Sequence, residues 1–176
     1  MFKIASFLAV FALAGCSGGA QKATPNPCGN PCGNPCGNPC ATPSADAPDF
    51  SGWQSWTKVS STPFTSKGHK RALVDVYVST AADQYKALSG AMPEGMQIVK
   101  AQYKGDTAGE VAMLTVMQKM APGYDSDNGD WLYGAYAADG KKAMNFGKLK
   151  NCISCHDAQG SDTDYVIGVP DGHKAE

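Results

Sequence analysis

A Cys-x-x-Cys-His motif near the end of the chain constrains the fold more than any other feature of the sequence. The motif runs from Cys152 to His156, and it is the attachment motif of a c-type haem. Residues i, i+3 and i+4 share one face of a helix, so the thiols of Cys152 and Cys155 can bond the porphyrin vinyl groups while His156 reaches the iron. We therefore predict a helix here and one covalent haem c per chain. A redox cysteine pair or half of a metal site is the alternative, which the adjacent histidine disfavours.

The N-terminal residues are typical of an export signal. Lys3 precedes an apolar run of eleven residues, 4–14, whereas a membrane-spanning helix needs about 20. Cys16 follows small residues as in a bacterial lipobox, so residues 1–15 are a predicted lipoprotein signal peptide and Cys16 is the predicted lipidated N-terminus. Ser17 favours the periplasmic side of the outer membrane, where disulfides can form. The alternative is an ordinary signal peptide cut at nearly the same position.

Residues 16–48 form a low-complexity segment that is poor in large apolar side chains. An Asn-Pro-Cys-Gly unit recurs from Asn26, and a proline in every unit rules out a helix or a central strand. We predict that this segment is a tether between the lipid and the folded domain. Its four cysteines have three alternative interpretations. They are tolerated in a structural tether, with or without local disulfides; they form disulfides between chains; or their thiolates bind a metal ion. They are Cys28, Cys32, Cys36 and Cys40.

The folded domain is predicted over residues 49–176, where bulky side chains such as Phe50 and Trp53 first appear. Four short runs rich in Val, Ile and Tyr are predicted strands, and they are Leu73–Val78, Met96–Tyr103, Val111–Lys119 and Trp131–Tyr136. Between the first two, Thr80 has the position of a helix cap and Gly90 that of a helix stop. The predicted fold class is α+β, mainly an antiparallel sheet with a few short helices, with the haem-attachment helix near the C-terminus.

Charge and the remaining candidate ligands narrow the function. The chain has 15 basic and 16 acidic side chains and no basic stripe, so nucleic acid is not an expected partner. No methionine follows His156 in the sequence, and His173 is expected to be a solvated tail residue. The methionines at 113, 117 and 120 are expected in the core. We therefore expect an open axial position on the iron, which suits small-molecule chemistry or gas binding better than electron transfer alone.

Several segments, taken in order, resemble the cytochrome P-460 family and its relative cytochrome c′-beta over about residues 64–169. They are Val76-Tyr77-Val78, Pro93 to Lys100, Leu114 to Lys119, Pro122 to Trp131, and the haem motif followed by Asp162 to Val166. The resemblance implies a mainly antiparallel β fold, usually a homodimer, with five-coordinate haem c in a partly hydrophobic pocket. Members of the first type oxidise hydroxylamine, and those of the second bind nitric oxide and carbon monoxide without known turnover.

Two residues outside the motif take roles from this resemblance. In the P-460 type a lysine at the end of a Gly-x-x-Ile-Val-Lys segment is bonded to the haem edge, and Lys100 occupies that place. Alternation along the strand puts Lys100 on the same face as Ile98, and a solvated strand end is the alternative. Phe64 resembles a distal-pocket aromatic that crowds the iron, and an ordinary core residue is the alternative.

Hydroxylamine oxidation needs a group that takes protons from the substrate. By the resemblance, active members place a carboxylate just before the first haem cysteine, where this chain has Lys150 and Asn151. Three acids elsewhere are candidate substitutes, although each is also explained as a loop or surface residue; they are Asp106, Glu110 and Asp139. His69 and Arg71 lie just before a strand, and we expect both on the surface, with a position facing the pocket as the alternative.

The sequence thus predicts an exported, lipid-anchored protein with one haem c that acts on small nitrogen oxides. Hydroxylamine oxidation, with electrons passed to a periplasmic redox partner, is the leading hypothesis. Non-enzymatic binding of nitric oxide or carbon monoxide and plain electron transfer are the alternatives.

Replacing Cys16 removes the predicted attachment to lipid. Each buried methylene of an acyl chain contributes roughly 0.8 kcal/mol to membrane binding, so Cys16→Ser should move the protein from the membrane fraction to the soluble fraction. Cell fractionation with immunodetection of wild type and variant measures this. Retention of the variant in the membranes would contradict lipidation at Cys16.

Overall fold

An antiparallel sheet of seven strands carries the fold of the computed structural model, which describes residues 47–176. The strands are β1 (Thr57–Lys58), β2 (Phe64–Thr65), β3 (Leu73–Val78), β4 (Gln97–Tyr103), β5 (Val111–Lys119), β6 (Trp131–Ala137) and β7 (Ala143–Gly147), and the helices are α1 (Ala82–Ala87) and α2 (Lys150–His156). The order across the sheet is β1-β3-β4-β5-β6-β7, and β2 also pairs with β3. The predicted fold class is therefore confirmed, including the helix near the C-terminus.

The four predicted strands are confirmed as β3, β4, β5 and β6, each within one residue of its predicted bounds. The sequence analysis misses β1, β2 and β7. β1 and β2 have two residues each and exist through pairing with β3, for example Thr57 with Val78 and Phe64 with Val74. β7 lies at the edge of the sheet, is nowhere fully buried, and lacks the Val and Ile content that marks the others.

Helix α1 lies where a helix is predicted, but neither of its predicted end signals is correct. Thr80 does not cap it: the helix follows Ala81, whose φ is 50°, and no side chain of the described residues caps its N-terminus. The helix also stops short of Gly90, because Leu88 adopts a left-handed conformation (φ 49°) and packs against the core. Tertiary packing thus overrides both local signals. None of the helices within residues 47–176 has the length and apolar character of a membrane span.

Side chains alternate between the two faces of the sheet and form two apolar clusters. On the first face, neighbours across β3 to β6 form a row of Val78, Ile98, Met117 and Tyr133. Lys100 is two residues from Ile98 and therefore lies on the same face. It pairs with Thr115 of β5, so Lys100 and Thr115 form the neighbouring row of side chains on that face. The second face is covered by Phe50 and Trp53 from the segment before β1. The register therefore decides which polar side chains enter the first face.

A buried ion pair ties the segment after α2 to the sheet. Lys119 Nζ, at the end of β5, lies 2.7 and 2.6 Å from the two carboxylate oxygens of Asp164, and the two side chains are only 11% and 7% exposed. The backbone N–H of Met92 donates to the same carboxylate at 2.7 Å, and Trp131 Nε1 donates to the Asp164 carbonyl oxygen at 2.7 Å. These hydrogen bonds compensate the desolvation of the two charges.

Replacing Lys119 tests the strength of this tie. In Lys119→Met the Asp164 carboxylate stays buried without its ion partner, so the free energy of unfolding of the haem-loaded protein should fall by about 3–5 kcal/mol. Lys104→Met is the matched control, because Lys104 pairs with Glu110 where both side chains are exposed, and such pairs contribute about 0–1 kcal/mol. Denaturant unfolding monitored by circular dichroism measures both variants. Equal losses in the two would contradict the account.

Candidate haem site

A cavity of about 510 Å³ lies on the first face of the sheet. Lys100, Met117 and Tyr133 contribute its floor from three neighbouring strands, and its walls come from residues 64–69, from α2 and from the segment just after residue 166. The volume falls in the range of roughly 300–1,000 Å³ that is typical of small-molecule and cofactor sites. Parts of the chain that are far apart in sequence thus meet around one space.

Helix α2 carries the whole Cys-x-x-Cys-His motif, as predicted. Cys152 and Cys155 are free thiols, and both line the cavity together with His156. Burial raises the pKa of the Cys152 thiol, and the neighbouring Cys155 adds to this shift. The three motif side chains therefore converge on one cavity in the way that attachment and ligation of a haem require.

The His156 ring is buried and held by a backbone carbonyl. Its Nδ1 donates to the Tyr165 oxygen at 2.8 Å, and both Asp164 and Tyr165 have left-handed φ values, 51° and 61°, that turn the chain back toward the helix. Burial is the main cause that lowers the pKa of His156 to about 4, and the Lys100 charge adds to it. The ring is thus neutral, with Nε2 left as a metal ligand, which is the usual arrangement of a ligating histidine.

Lys100 faces the cavity, as strand alternation predicts. Its side chain is 6% exposed, so the alternative of a solvated strand end is wrong. Nζ donates to the Ile167 carbonyl oxygen at 3.1 Å, and burial lowers the pKa of the amine to about 8. A neutral amine is therefore accessible near neutral pH. The bond from Lys100 to the haem edge stays a prediction.

Phe64 is a core residue that also lines the cavity, and its crowding of an iron ligand stays a prediction. It is 6% exposed, belongs to the core cluster of the first face, and also lines the cavity. Its ring lies 5.7 Å from the His173 ring, and His173 Nδ1 is 2.9 Å from Thr62 Oγ1. The C-terminal tail is therefore attached to the loop before β2, where His173 is half-buried and its contact with Thr62 is exposed. His173 is not among the described lining residues of the cavity.

None of the three candidate acids reaches the cavity among the residues that the structure describes. Glu110 is exposed in the turn between β4 and β5, where it pairs with Lys104. Asp106 is exposed in the same turn, and Asp139 accepts the backbone N–H of Lys141 in the turn before β7. Hydrogen bonds to the Lys141 and Lys142 backbone lower the pKa of Asp139. All three are surface acids, and none of them lines the cavity as the structure describes it.

His69 lines the cavity, so its predicted surface position is wrong. Its Nδ1 lies 2.8 Å from the Ser66 hydroxyl. Burial lowers the pKa of His69 to about 4, with smaller contributions from the charges on Lys100 and His156. Arg71 is exposed, as expected. The sequence contains no signal for His69 because the loop backbone, not a periodic pattern, sets its direction.

Tyr133 and Met117 are cavity residues that the sequence analysis misses or assigns only to the core. Met117 pairs with Ile98 on one side and with Tyr133 on the other. Knowledge of the strand register would therefore have predicted that both side chains lie on the cavity face. The Tyr133 ring lies 5.1 Å from the His156 ring, and its hydroxyl is buried without a hydrogen-bond partner among the described residues. Such a group costs about 1–3 kcal/mol unless an occupant of the cavity binds it.

The donor set of the cavity fits haem c. Two free thiols, an imidazole with one uncommitted nitrogen, apolar neighbours and an unpartnered hydroxyl are all present. The lipidation candidate Cys16 and the tether cysteines Cys28, Cys32, Cys36 and Cys40 lie outside the described residues.

A family model described as Cytochrome P460 matches residues 50–168, which is more than half of the chain and includes Phe64, Lys100 and the haem motif. No curated protein matches the chain.

Acidification should destabilise the fold through His69. The folded-state pKa of about 4 lies below the ordinary 6.5, so the unfolded chain binds more protons and the free energy of unfolding should fall as the pH drops from 6.5 toward 4. The slope is at most about 1.4 kcal/mol per pH unit. In His69→Gln this contribution is absent, and the pH dependence should be flatter. Denaturant unfolding of both haem-loaded proteins at several pH values in this window measures it; parallel curves would contradict the burial of a neutral His69.

Proposed function

The chain belongs to the cytochrome P460 family, and we propose that this c-type haem protein oxidises hydroxylamine or a closely related small nitrogen species. When bound, the haem supplies one-electron redox chemistry and an open axial position for a small ligand. Each chain would hold one haem through thioether bonds from Cys152 and Cys155. His156 would ligate the iron through Nε2, and the Tyr165 carbonyl keeps that ring oriented.

The observation that carries this proposal is the position of Lys100. Its amine lies in the cavity onto which both motif thiols face, and burial brings its pKa to about 8. A neutral amine has the lone pair that a bond to carbon requires. By its resemblance to the P-460 type, Lys100 is bonded to the haem edge, and this bond separates hydroxylamine-oxidising members from gas-binding ones.

The reaction releases protons and electrons that the protein must handle. Oxidation to nitric oxide balances as NH2OH → NO + 3 H⁺ + 3 e⁻, and the electrons leave one at a time to a redox protein. We propose that this partner is periplasmic and that the protein is a homodimer anchored by lipid at Cys16. The cavity lining, which includes Phe64 and Met117, limits access to small ligands.

Reversible binding of nitric oxide or carbon monoxide is the second candidate function. Two observations favour it: Asn151, not a carboxylate, precedes the first haem cysteine and lines the cavity, and Phe64 lines it as well. A gas-binding protein needs an open iron and an apolar pocket but no proton acceptor.

Turnover with hydroxylamine tests the proposal. Purified holoprotein is mixed anaerobically with hydroxylamine and an excess of an artificial one-electron acceptor, and acceptor reduction is followed optically. Many equivalents of acceptor reduced per haem support oxidation. Reduction limited to the haem itself, together with carbon monoxide binding by the ferrous protein, would contradict the enzyme and favour the gas-binding function.

The bond to Lys100 gives a spectroscopic prediction. A carbon-nitrogen bond at the ring edge lowers the symmetry of the macrocycle, so the main ferrous absorption band should lie well to the red of an ordinary haem c. Bond formation removes one hydrogen from the amine and one from the ring carbon, a two-electron oxidation that hydrogen peroxide completes by becoming two waters. Lys100→Ala should restore the ordinary spectrum and retain the haem.

Lys67→Ala is the matched control for this variant, because Lys67 lines the cavity but is exposed; it should keep the shifted band. Mass spectrometry of the digested protein should find haem joining the peptide of Lys100 to that of Cys152. An ordinary wild-type spectrum without the joined peptide would contradict the bond.

A further inference from the structure

The loop between β2 and β3 directs an imidazole into the cavity through a constrained backbone. The Ser66 N–H donates to the Ala72 carbonyl oxygen, and the Ala72 N–H donates to the His69 carbonyl oxygen, both at 2.9 Å. Between them Lys70 and Arg71 have left-handed φ values of 53° and 60°, which cost roughly 1–2 kcal/mol for each non-glycine residue. Strain of this kind persists where surrounding contacts impose it, and it concentrates at functional sites.

The ring of His69 is oriented by a buried hydroxyl. Ser66 is 6% exposed, and its Oγ lies 2.8 Å from His69 Nδ1. A hydroxyl can accept a hydrogen bond or donate one, so Ser66 holds the ring in either tautomer. Nε2 has no hydrogen-bond partner among the described residues. It can therefore present a lone pair or an N–H to a small ligand.

The remaining polar groups of the cavity leave His69 as the proton acceptor. No carboxylate occurs among the described lining residues. In the proposed holoprotein the motif side chains and Lys100 are bonded to the haem. Lys67 carries an ammonium group, which has no lone pair, and burial raises the pKa of the Tyr133 hydroxyl.

We propose that His69 contacts the small ligand in the cavity through Nε2 and takes a proton from it, an inference that rests on the proposed hydroxylamine oxidation. The N–H or O–H bond of hydroxylamine breaks, its electron pair stays on the substrate, and the proton forms a new bond to Nε2. The Ser66 hydroxyl then accepts a hydrogen bond from Nδ1–H of the imidazolium. The electrons leave separately to the one-electron acceptor. His69 is thus a catalytic residue of the loop, outside the haem motif.

Two substitutions separate the contact from the proton transfer. His69→Leu removes both, whereas the amide of His69→Gln can donate a hydrogen bond but cannot serve as a base at neutral pH. Hydroxylamine turnover should fall about 10²- to 10⁴-fold in both variants. The carbon monoxide stretching frequency of the ferrous complex, measured by infrared spectroscopy, should rise in His69→Leu because a hydrogen bond to the ligand oxygen is lost, and it should stay near wild type in His69→Gln.

His173→Gln is the control, since His173 is outside the described cavity lining and the change is chemically the same; it should leave turnover and frequency unchanged. Haem content and the ferric spectrum of each variant establish that the pocket is intact. Unchanged wild-type-like turnover in His69→Gln would overturn proton transfer to His69 while the proposed function stands. Absence of hydroxylamine turnover in the wild type would overturn the proposed function itself. In that case, an unchanged carbon monoxide stretching frequency in His69→Leu would also overturn the contact between His69 and the ligand.

Discussion

The hydrogen bond from His156 Nδ1 to the Tyr165 carbonyl oxygen fixes the orientation of the His156 ring. This hydrogen bond depends on the buried ion pair of Lys119 with Asp164, the residue before Tyr165. Lys119 binds both carboxylate oxygens of Asp164, and the left-handed backbone at Asp164 and Tyr165 brings the carbonyl to the imidazole. Because the pair is almost fully desolvated, loss of either partner leaves a buried charge. The contact that attaches the C-terminal segment to β5 therefore also orients the His156 ring, the proposed iron ligand.

The sequence predicted those features that depend only on the spacing of residues within one helix or one strand. The motif spacing is that of one helical face, so α2 and the convergence of Cys152, Cys155 and His156 could be predicted. Alternation likewise placed Lys100 on the face of Ile98. Tyr133 and Met117 reach the cavity through cross-strand register, which a single sequence does not specify.

His69 could not be predicted for a different reason. Its direction depends on two left-handed residues and on a hydrogen bond to Ser66, and no periodic pattern marks either feature. The same applies to Asp164, whose partner Lys119 is 45 residues away in sequence. The site thus combines a locally encoded helix with side chains that only the assembled sheet and loops bring to it.

Covalent attachment of haem through the motif is the central claim, and mass spectrometry of the denatured, alkylated holoprotein tests it most directly. The account predicts a mass increased by one haem, no alkylation at Cys152 or Cys155, and a digest in which haem remains on the peptide that contains both cysteines and His156. Addition of each thiol across a vinyl group loses no atoms, so the two thioether bonds leave the summed mass unchanged, and the proposed bond to Lys100 lowers it by the two hydrogens removed. A protein that releases its haem on denaturation and alkylates at both cysteines would contradict the account.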